Sequence, residues 1–204
     1  MTIKSVRKSS AEDQWRIELS DGSVFSFSIF YLPQSCINLL DCDNVEGREI
    51  SDEEAESFYF SSACLRAEKK ALQLIARAEQ NTFKLKQKLG KQGHDSKCVK
   101  AVIERLVEHG ILDDSRYAAL WLESRISLQA VSPLRLRTGL SSRGIGQDII
   151  KPLLKEFLDE EKEQKLLERY AQKLMRKNDF DSLRYKLKSE GFSSFAINGF
   201  FESL

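Results

Sequence analysis

The stretch Leu136-Arg-Thr-Gly-Leu140-Ser-Ser-Arg-Gly144-Ile145 decides the fold, because the chain contains the same pattern three times. The other copies are Leu85-Lys-Gln-Lys-Leu89-Gly-Lys-Gln-Gly93-His94 and Leu183-Arg-Tyr-Lys-Leu187-Lys-Ser-Glu-Gly191-Phe192. Each copy has two leucines four residues apart and a glycine four residues later. An internal pattern that recurs in this way predicts tandem repeats.

The pattern specifies a helix, a turn and a second helix. Leucines at i and i+4 lie on one face of a helix, and a glycine just past the last turn suits a cap that needs positive φ. Val99, Ile150 and Ile197 each follow their glycine by six residues and belong to the apolar stripe of the next helix. We therefore interpret the leucines and glycines as scaffold.

A small β-hairpin is predicted before the repeats. Residues 15–19 and 23–29 alternate apolar and polar side chains around an Asp-Gly hairpin signal. A two-residue loop would put the apolar faces of the two strands on opposite sides. A three-residue loop, residues 20–22, pairs Ile17 with Phe25 and gives one apolar face with the loop glycine at positive φ. We predict this second register.

The helical part is predicted to begin at Ser51. Ser51 and Glu54 have the spacing of a capping box, and the helix that follows should reach Arg77 with a bend or break around Ser61-Ser62. A second break is expected at Asn178-Asp179. The predicted division of the chain is 1–50 for the β-hairpin extension, 51–110 for the lead-in helix and first repeat, 111–158 for the second repeat and 159–204 for the third.

Charge is distributed unevenly over the 204 residues. Residues 1–62 hold 5 Lys/Arg and 12 Asp/Glu, a net charge of −7, whereas residues 63–204 hold 27 and 19, a net charge of +8. The first two repeats carry this excess. A cationic surface beside acidic elements predicts an anionic partner for part of the molecule.

Neither a membrane location nor a metal centre is predicted. No stretch has the length of an apolar span, and the N-terminus lacks the apolar core of a signal peptide. The cysteines Cys36, Cys42, Cys64 and Cys98 form no Cys-x-x-Cys pair, so we expect reduced thiols, no metal, no cofactor and a cytoplasmic protein.

The chain resembles the RecX family of bacterial recombination regulators. Gly110-Ile-Leu-Asp113-Asp114-Ser-Arg-Tyr117-Ala118 is the most specific segment. The other matching segments are Leu85-x-x-x-Leu89-x-x-x-Gly93, Trp121, Arg125, Ser132-Pro133-x-Arg135-Leu-Arg137 and Arg143-Gly144-Ile145. Lys84 and Ser132 depart from the residues that many members have at these two positions, Glu and Gly.

The resemblance implies both a fold and a function. The expected fold class is mainly α: an elongated, curved array of three tandem three-helix repeats, with the small N-terminal β-hairpin added. The expected function is binding to the RecA recombinase and its filament on single-stranded DNA. Members of this family limit filament growth or promote disassembly, which lowers ATPase, strand-exchange and SOS co-protease output, and some bind DNA directly. We expect a monomer that inhibits its recombinase.

The candidate contacts with a partner or with DNA are basic residues between the scaffold positions. Equivalent positions of stacked repeats form a stripe, and the first two repeats are basic at such positions. Arg135 and Arg137 are preferred, because guanidinium groups make bidentate pairs with carboxylate and phosphate. The full set is Lys84, Lys86, Lys88, Lys91, Arg125, Arg135, Arg137 and Arg143.

Two other functions are weighed against the filament regulator. One is a helical DNA-binding module with non-specific phosphate contacts, disfavoured because the helices after Gly93 and Gly144 carry few basic residues. The other is an enzyme. Asp113 and Asp114 are the best carboxylate pair, but adjacent helical residues do not face each other, so we interpret them as a helix cap and its neighbour. No catalytic residues are predicted. Trp121 is interpreted as core.

Overall fold

The computed structural model describes residues 1–9, 13–40, 45–175 and 182–203. Cys42 and the break predicted at Asn178-Asp179 lie outside the described residues. Within them, no helix has the length and apolar character needed to cross a membrane.

The N-terminal part contains a three-stranded antiparallel sheet in the order β1-β2-β3. The strands are Ile3–Lys8 (β1), Gln14–Leu19 (β2) and Val24–Ser28 (β3). Ile17 pairs with Phe25 and Trp15 with Phe27, and Gly22 has a φ of 85°. The register and the loop glycine predicted for the hairpin are therefore confirmed.

The predicted hairpin is present, but the third strand of the sheet, β1, was not predicted from the sequence. β1 pairs with β2 along its length, but a register shift between Ile3 and Ser5 interrupts the pairing. A bulge of this kind breaks the alternation of apolar and polar side chains by which a strand is identified in a sequence. Ile3 and Val6 both pack in the core while Lys4 and Ser5 separate them, so β1 has no clear period of two.

The sheet packs against the first two α-helices. A short 3₁₀ helix, Ile29–Tyr31, leads to α1, Gln34–Leu40, and α2 runs over Asp52–Arg77. The capping box of Ser51 and Glu54 is confirmed. Of the bend or break predicted around Ser61-Ser62, the break is wrong, because α2 is continuous. The Ser61 hydroxyl bonds to the backbone N–H and C=O of Ser28 on β3, so it fastens the helix to the sheet without disturbing α2.

The remaining helices include the three that contain the signature leucines. They are α3 (Thr82–Lys91), α4 (Ser96–Glu108), α5 (Asp114–Leu128), α6 (Pro133–Ser141), α7 (Gln147–Phe157), α8 (Glu160–Met175), α9 (Leu183–Ser189) and α10 (Ser194–Glu202). The mainly helical fold class with a small N-terminal sheet is confirmed. Asp95, Asp113 and Ser132 are N-caps, as their positions before the apolar stripes predict.

Contacts divide the chain into two compact units. The first contains Met1–Glu79 and Leu85–Leu112, and the second contains residues 80–84 and 113–204. The first unit has one core under the sheet and another where α2, α3 and α4 meet. The core of the second unit joins α5 to α10. The four-part division at residues 50, 110 and 158 stays a prediction.

The three signatures have the same backbone geometry. In each, the N–H of the residue after the glycine donates to the carbonyl of the second leucine: His94 to Leu89, Ile145 to Leu140, and Phe192 to Leu187. The three glycines have φ values between 81° and 87°. This is the Schellman motif that the glycine positions predict, and all six signature leucines are fully buried.

Candidate partner-binding surface

The eight predicted contact residues separate into two groups by exposure. Five have exposed side chains: Lys86, Lys88, Lys91, Arg135 and Arg137. The other three, Lys84, Arg125 and Arg143, are only half-exposed and lie against aromatic residues of α5. The division matters because a cation that is already held by its own protein has less freedom to bind a partner.

Trp121 organises two of the half-exposed cations. The guanidinium carbons of Arg143 and Arg125 lie 4.7 Å and 5.4 Å from the centre of its ring. The tip of the ring touches Gly139 on α6, where a Cβ would collide with it. Trp121 therefore packs between helices, as predicted, and its ring holds both guanidinium groups by cation–π attraction.

Arg143 is fixed further by hydrogen bonds. Its Nη1 donates to the Gly139 carbonyl at 2.7 Å, and its own carbonyl accepts from Asn81 Nδ2 at 2.8 Å. Its Nε is buried without a hydrogen-bond partner among the described residues. These contacts give Arg143 a structural role, because they join α5, α6 and the start of α3.

Lys84 has a polar contact with α5. Its Nζ donates to the Tyr117 hydroxyl at 3.0 Å and lies 5.5 Å from the centre of that ring. Since the ammonium is this close to the hydroxyl, it lies beyond the ring edge and outside the region where a cation–π interaction is strong. We interpret the contact as a hydrogen bond. This hydrogen bond holds the Lys84 ammonium against α5 in the second unit, so Lys84 has less freedom to bind a partner.

Arg135 lies near Glu190, which precedes the glycine of the third signature. Nε of Arg135 is 4.0 Å from Oε2 of Glu190, and the Arg135 side chain is 62% exposed. An ion pair this long and this exposed contributes little to stability. The Glu190 carboxylate also accepts a hydrogen bond from the Ser132 hydroxyl at 2.5 Å. It lies near the Tyr170 hydroxyl as well, and burial of Tyr170 together with this carboxylate raises the pKa of Tyr170. Arg135 remains available to a partner.

Arg137 lines a cleft between α6, α7 and the start of α8. The cleft has a volume of about 310 Å³, and Lys151 and Lys155, one turn apart on α7, line it as well. Within the part of the chain that the structure describes, no carboxylate lies within ion-pair distance of these three cations. Arg137 is therefore one of three converging positive charges.

The rest of the cleft is apolar apart from one carboxylate. Leu134, Leu154 and Leu158 contribute apolar surface. Glu163 also lines the cleft, but its two carboxylate oxygens accept from the backbone N–H and the hydroxyl of Ser193, each at 2.8 Å. The cleft consequently combines a net positive charge with apolar surface, which suits an acidic protein segment that carries an apolar side chain.

Lys151 and Lys155 were missing from the predicted set. Their spacing of four residues puts them on one face of α7, and that much is visible in the sequence. The approach of this face to Arg137 on α6 depends on the turn at Gly144 and is set by tertiary structure. The sequence alone gave no reason to prefer these two lysines over the other lysines of the chain.

The three exposed lysines of α3 belong to the first unit. Lys86, Lys88 and Lys91 follow one another along a helix whose Leu85 and Leu89 are buried. The continuous basic stripe predicted across the first two repeats joins residues of different units, and it stays a prediction.

The carboxylate pair Asp113-Asp114 has a structural role. Asp113 accepts from the backbone N–H groups of Ser115 and Arg116, as an N-cap does. Asp114 accepts from the N–H and the hydroxyl of Thr82, each at 2.8 Å, and so holds the first turn of α3 against α5. The second contact was not predicted. Among the described residues, no group of three His, Cys, Asp or Glu side chains is arranged to hold a metal ion.

The fold and this surface define a class of protein: a helical-repeat protein built on helix–glycine–helix units, with a cationic, partly apolar cleft. Residues 113–154, which span most of α5 to α7, match the family model described as the second three-helix domain of RecX. The regulatory protein RecX of Treponema pallidum (strain Nichols) is 31% identical over 131 residues, which are 64% of this chain and 80% of that protein. The chain belongs to the RecX family.

Other relatives match over a shorter stretch. The regulatory proteins RecX of Halorhodospira halophila and Pseudomonas syringae pv. tomato are 37% and 38% identical, each over 42% of this chain. The matches span 53% and 55% of those two proteins, about half of their length. All of these relatives are named regulatory proteins.

Solved structures show the same fold. A crystal structure of a regulatory protein RecX aligns over 98% of both chains with a TM-score of 0.76 and 19% identity. RecX from Lactobacillus salivarius aligns over 70% of this chain and 96% of its own, with a TM-score of 0.58 and 19% identity. The first alignment includes the N-terminal sheet, because it covers nearly the whole chain.

Proposed function

We propose that this protein is a non-enzymatic cytoplasmic regulator that binds the RecA recombinase and its filament on single-stranded DNA. It acts as a monomer and limits filament growth, which lowers ATPase, strand-exchange and SOS co-protease activity. Membership of the RecX family supports the class of partner. The observation that carries the proposal on this chain is the cleft lined by Arg137, Lys151 and Lys155.

The composition of the cleft favours a protein partner over bare DNA. A phosphodiester backbone is recognised by charge and hydrogen bonds, and it has no use for the leucine surface beside the three cations. An acidic segment with one apolar side chain would use both. Arg135 extends the same surface, and we propose Lys86, Lys88 and Lys91 as further contacts in the first unit. Lys84, Arg125 and Arg143 contribute mainly by fixing α5.

The test of the proposed function is ATP hydrolysis by RecA of the same host on single-stranded DNA. Adding this protein at less than one molecule per RecA should lower the rate, because one bound molecule that stops filament growth affects many subunits. An unchanged rate, together with no co-sedimentation of this protein with the filaments, would contradict the proposal.

The alternative is a helical module that binds DNA directly through non-specific phosphate contacts. It predicts binding to DNA without RecA, with an affinity that falls steeply as salt rises. Titration of labelled DNA in the absence of RecA separates the two functions, because the filament regulator needs RecA for its effect on ATP hydrolysis.

A further inference from the structure

The acidic charge of the N-terminal part is concentrated around the start of α2. Residues 1–31 hold 4 Lys/Arg and 4 Asp/Glu, so their formal charges cancel. Residues 32–62 hold 1 Lys/Arg and 8 Asp/Glu, so the whole net charge of −7 comes from this segment. A field of this sign attracts cationic partners and repels the phosphates of nucleic acids.

A groove lies beside this part of α2 and has a volume of about 470 Å³. The residues that line it come from α2 and from the segment between β3 and α1: Glu53, Glu56, Ser57, Phe60, Tyr31 and Pro33. The four residues of α2 have the spacing of a single helix face, while Ala55 and Phe58 of the same helix pack in the core under the sheet. The groove therefore belongs entirely to the first unit.

The two carboxylates of the groove have no counter-charge. Among the described residues, neither Glu53 nor Glu56 forms an ion pair, and no Lys or Arg lines the groove. The helix dipole favours an acidic residue in the first turn, where Glu53 lies, but its effect has decayed at Glu56. Residues three positions apart are neighbours on a helix, so the two charges repel each other. A bound cation would offset this repulsion.

The other walls of the groove suit the flat side chain of arginine. Tyr31 and Phe60 are half-buried and Pro33 is exposed, so two aromatic rings and a proline ring lie beside the carboxylates. Guanidinium groups stack on aromatic rings and make bidentate pairs with carboxylates. The combination of rings and unpaired carboxylates therefore favours arginine over a purely apolar or an anionic side chain.

Arg105 shows that this unit already binds an arginine with the same chemistry. Its guanidinium carbon lies 3.3 Å from the centre of the Phe30 ring, and its Nε lies 3.0 Å from Oε1 of Glu68. One ring and one carboxylate thus hold an arginine of this chain. The groove presents two rings and two carboxylates, and in the described part of the chain no arginine lines it.

We infer that the groove is a docking site for a basic segment of a partner protein, with an arginine side chain bound by Glu53, Glu56 and the two aromatic rings. Its charge is opposite to that of the cleft in the second unit, so the two surfaces take segments of opposite charge. A divalent cation needs more ligands than two carboxylates, and the described residues contain no group of three metal-binding side chains.

The experiment titrates the full-length protein, without RecA or DNA, into a fluorescein-labelled peptide in which arginine alternates with alanine. Binding is followed by fluorescence anisotropy at low salt. Glu53→Gln/Glu56→Gln removes both charges at exposed positions and should weaken binding by roughly tenfold. The charge-matched control is Glu104→Gln/Glu108→Gln, exposed on α4 of the same unit and outside the groove. The control should bind like the wild type.

A third variant tests the aromatic wall. Phe60→Leu keeps both carboxylates and an apolar side chain, but it removes a ring on which a guanidinium can stack. The wild type should prefer the arginine peptide to a lysine peptide of the same length, and Phe60→Leu should lower this preference by about threefold. Urea denaturation checks that each variant is folded. An unchanged preference would show that the acidic field alone attracts the peptide, and it would contradict the docking site.

The inference is overturned if the glutamine variant and the control bind the arginine peptide equally. It is also overturned if the carboxylates serve contact between copies of this chain. In that case sedimentation would show a wild-type dimer that the glutamine variant loses and that the arginine peptide does not dissociate. None of these results bears on the RecA assay, in which the cleft is the site under test.

Discussion

At the scale of single residues, Gly144 stabilises the repeats in two ways, through its backbone conformation and through its lack of a side chain. Its φ of 81° is the conformation that the Schellman motif requires. A Cβ on Gly144 would also fall on the side chain of Phe83. The equivalent glycine of the third signature, Gly191, lies against Leu134, which is equivalent to Phe83. The glycine is thus both a helix cap and a stacking contact.

The first of these roles could be predicted from the sequence, and the second could not. The positive φ is predictable because the glycine stands four residues after the second signature leucine, where the helix is expected to end in a glycine cap. The contact with Phe83 joins residues 61 positions apart, and it depends on how one repeat packs on the next. The same holds for Arg143, whose position among basic residues suggested a contact with a partner while its neighbours make it structural.

Gly144→Val should be strongly destabilising. It combines a β-branched residue at positive φ, which costs about 1–3 kcal/mol, with a collision at Phe83. We expect a loss of at least about 2 kcal/mol in the free energy of unfolding measured by urea denaturation. Gly90→Ala is the control, because Gly90 lies in α3 without positive φ and with open space around it. That variant should be neutral or slightly more stable. Equal stability of the two variants would contradict both roles of Gly144.

At the scale of secondary-structure elements, local signals determined where most helices begin. The capping box at Ser51 and the cap at Asp113 are found as predicted. Asp95 and Ser132, which also precede apolar stripes, cap α4 and α6 in the same way. Where prediction failed, a tertiary contact or a bulge was responsible. A bend or break was predicted around Ser61-Ser62, but serine can place its hydroxyl bonds outside the helix, and the Ser61 hydroxyl bonds to β3 while α2 continues.

The packing of α2 against α4 has a consequence at alkaline pH. Burial raises the pKa of the Cys64 thiol on α2 and of the Cys98 thiol on α4. An unfolded chain ionises these thiols near their ordinary pKa, about 8.5, while the folded chain keeps the protons. The free energy of unfolding should therefore be unaffected below this pKa and fall as the pH rises above it.

The expected loss is about 1.9 kcal/mol between pH 8 and pH 10 for each thiol that stays protonated in the folded state. Urea denaturation of the wild type and of Cys64→Ala at both pH values measures it. The variant lacks one titrating thiol, so its deficit relative to the wild type should shrink at pH 10. A deficit that is the same at both pH values would show that Cys64 does not titrate differently in the two states.

At the scale of the whole molecule, the fold was predictable and the binding surface was predictable only in part. The three signatures gave the helical repeats, and the resemblance to RecX gave the family. Arg137 was identified because it lies beside a signature leucine. Lys151 and Lys155 join it only after α7 has turned back at Gly144, so their role depends on the tertiary fold.

The measurement that most directly tests the central claim is the affinity of this protein for RecA filaments on single-stranded DNA, at two salt concentrations. Arg137→Ala/Lys151→Ala removes two charges from the cleft and should weaken binding by roughly tenfold, or about 1.4 kcal/mol, without changing the fold. Lys173→Ala/Lys188→Ala removes two exposed charges from the same unit, outside the cleft, and should bind like the wild type. Equal affinities of the two variants, at both salt concentrations, would contradict the claim that the cleft binds the filament.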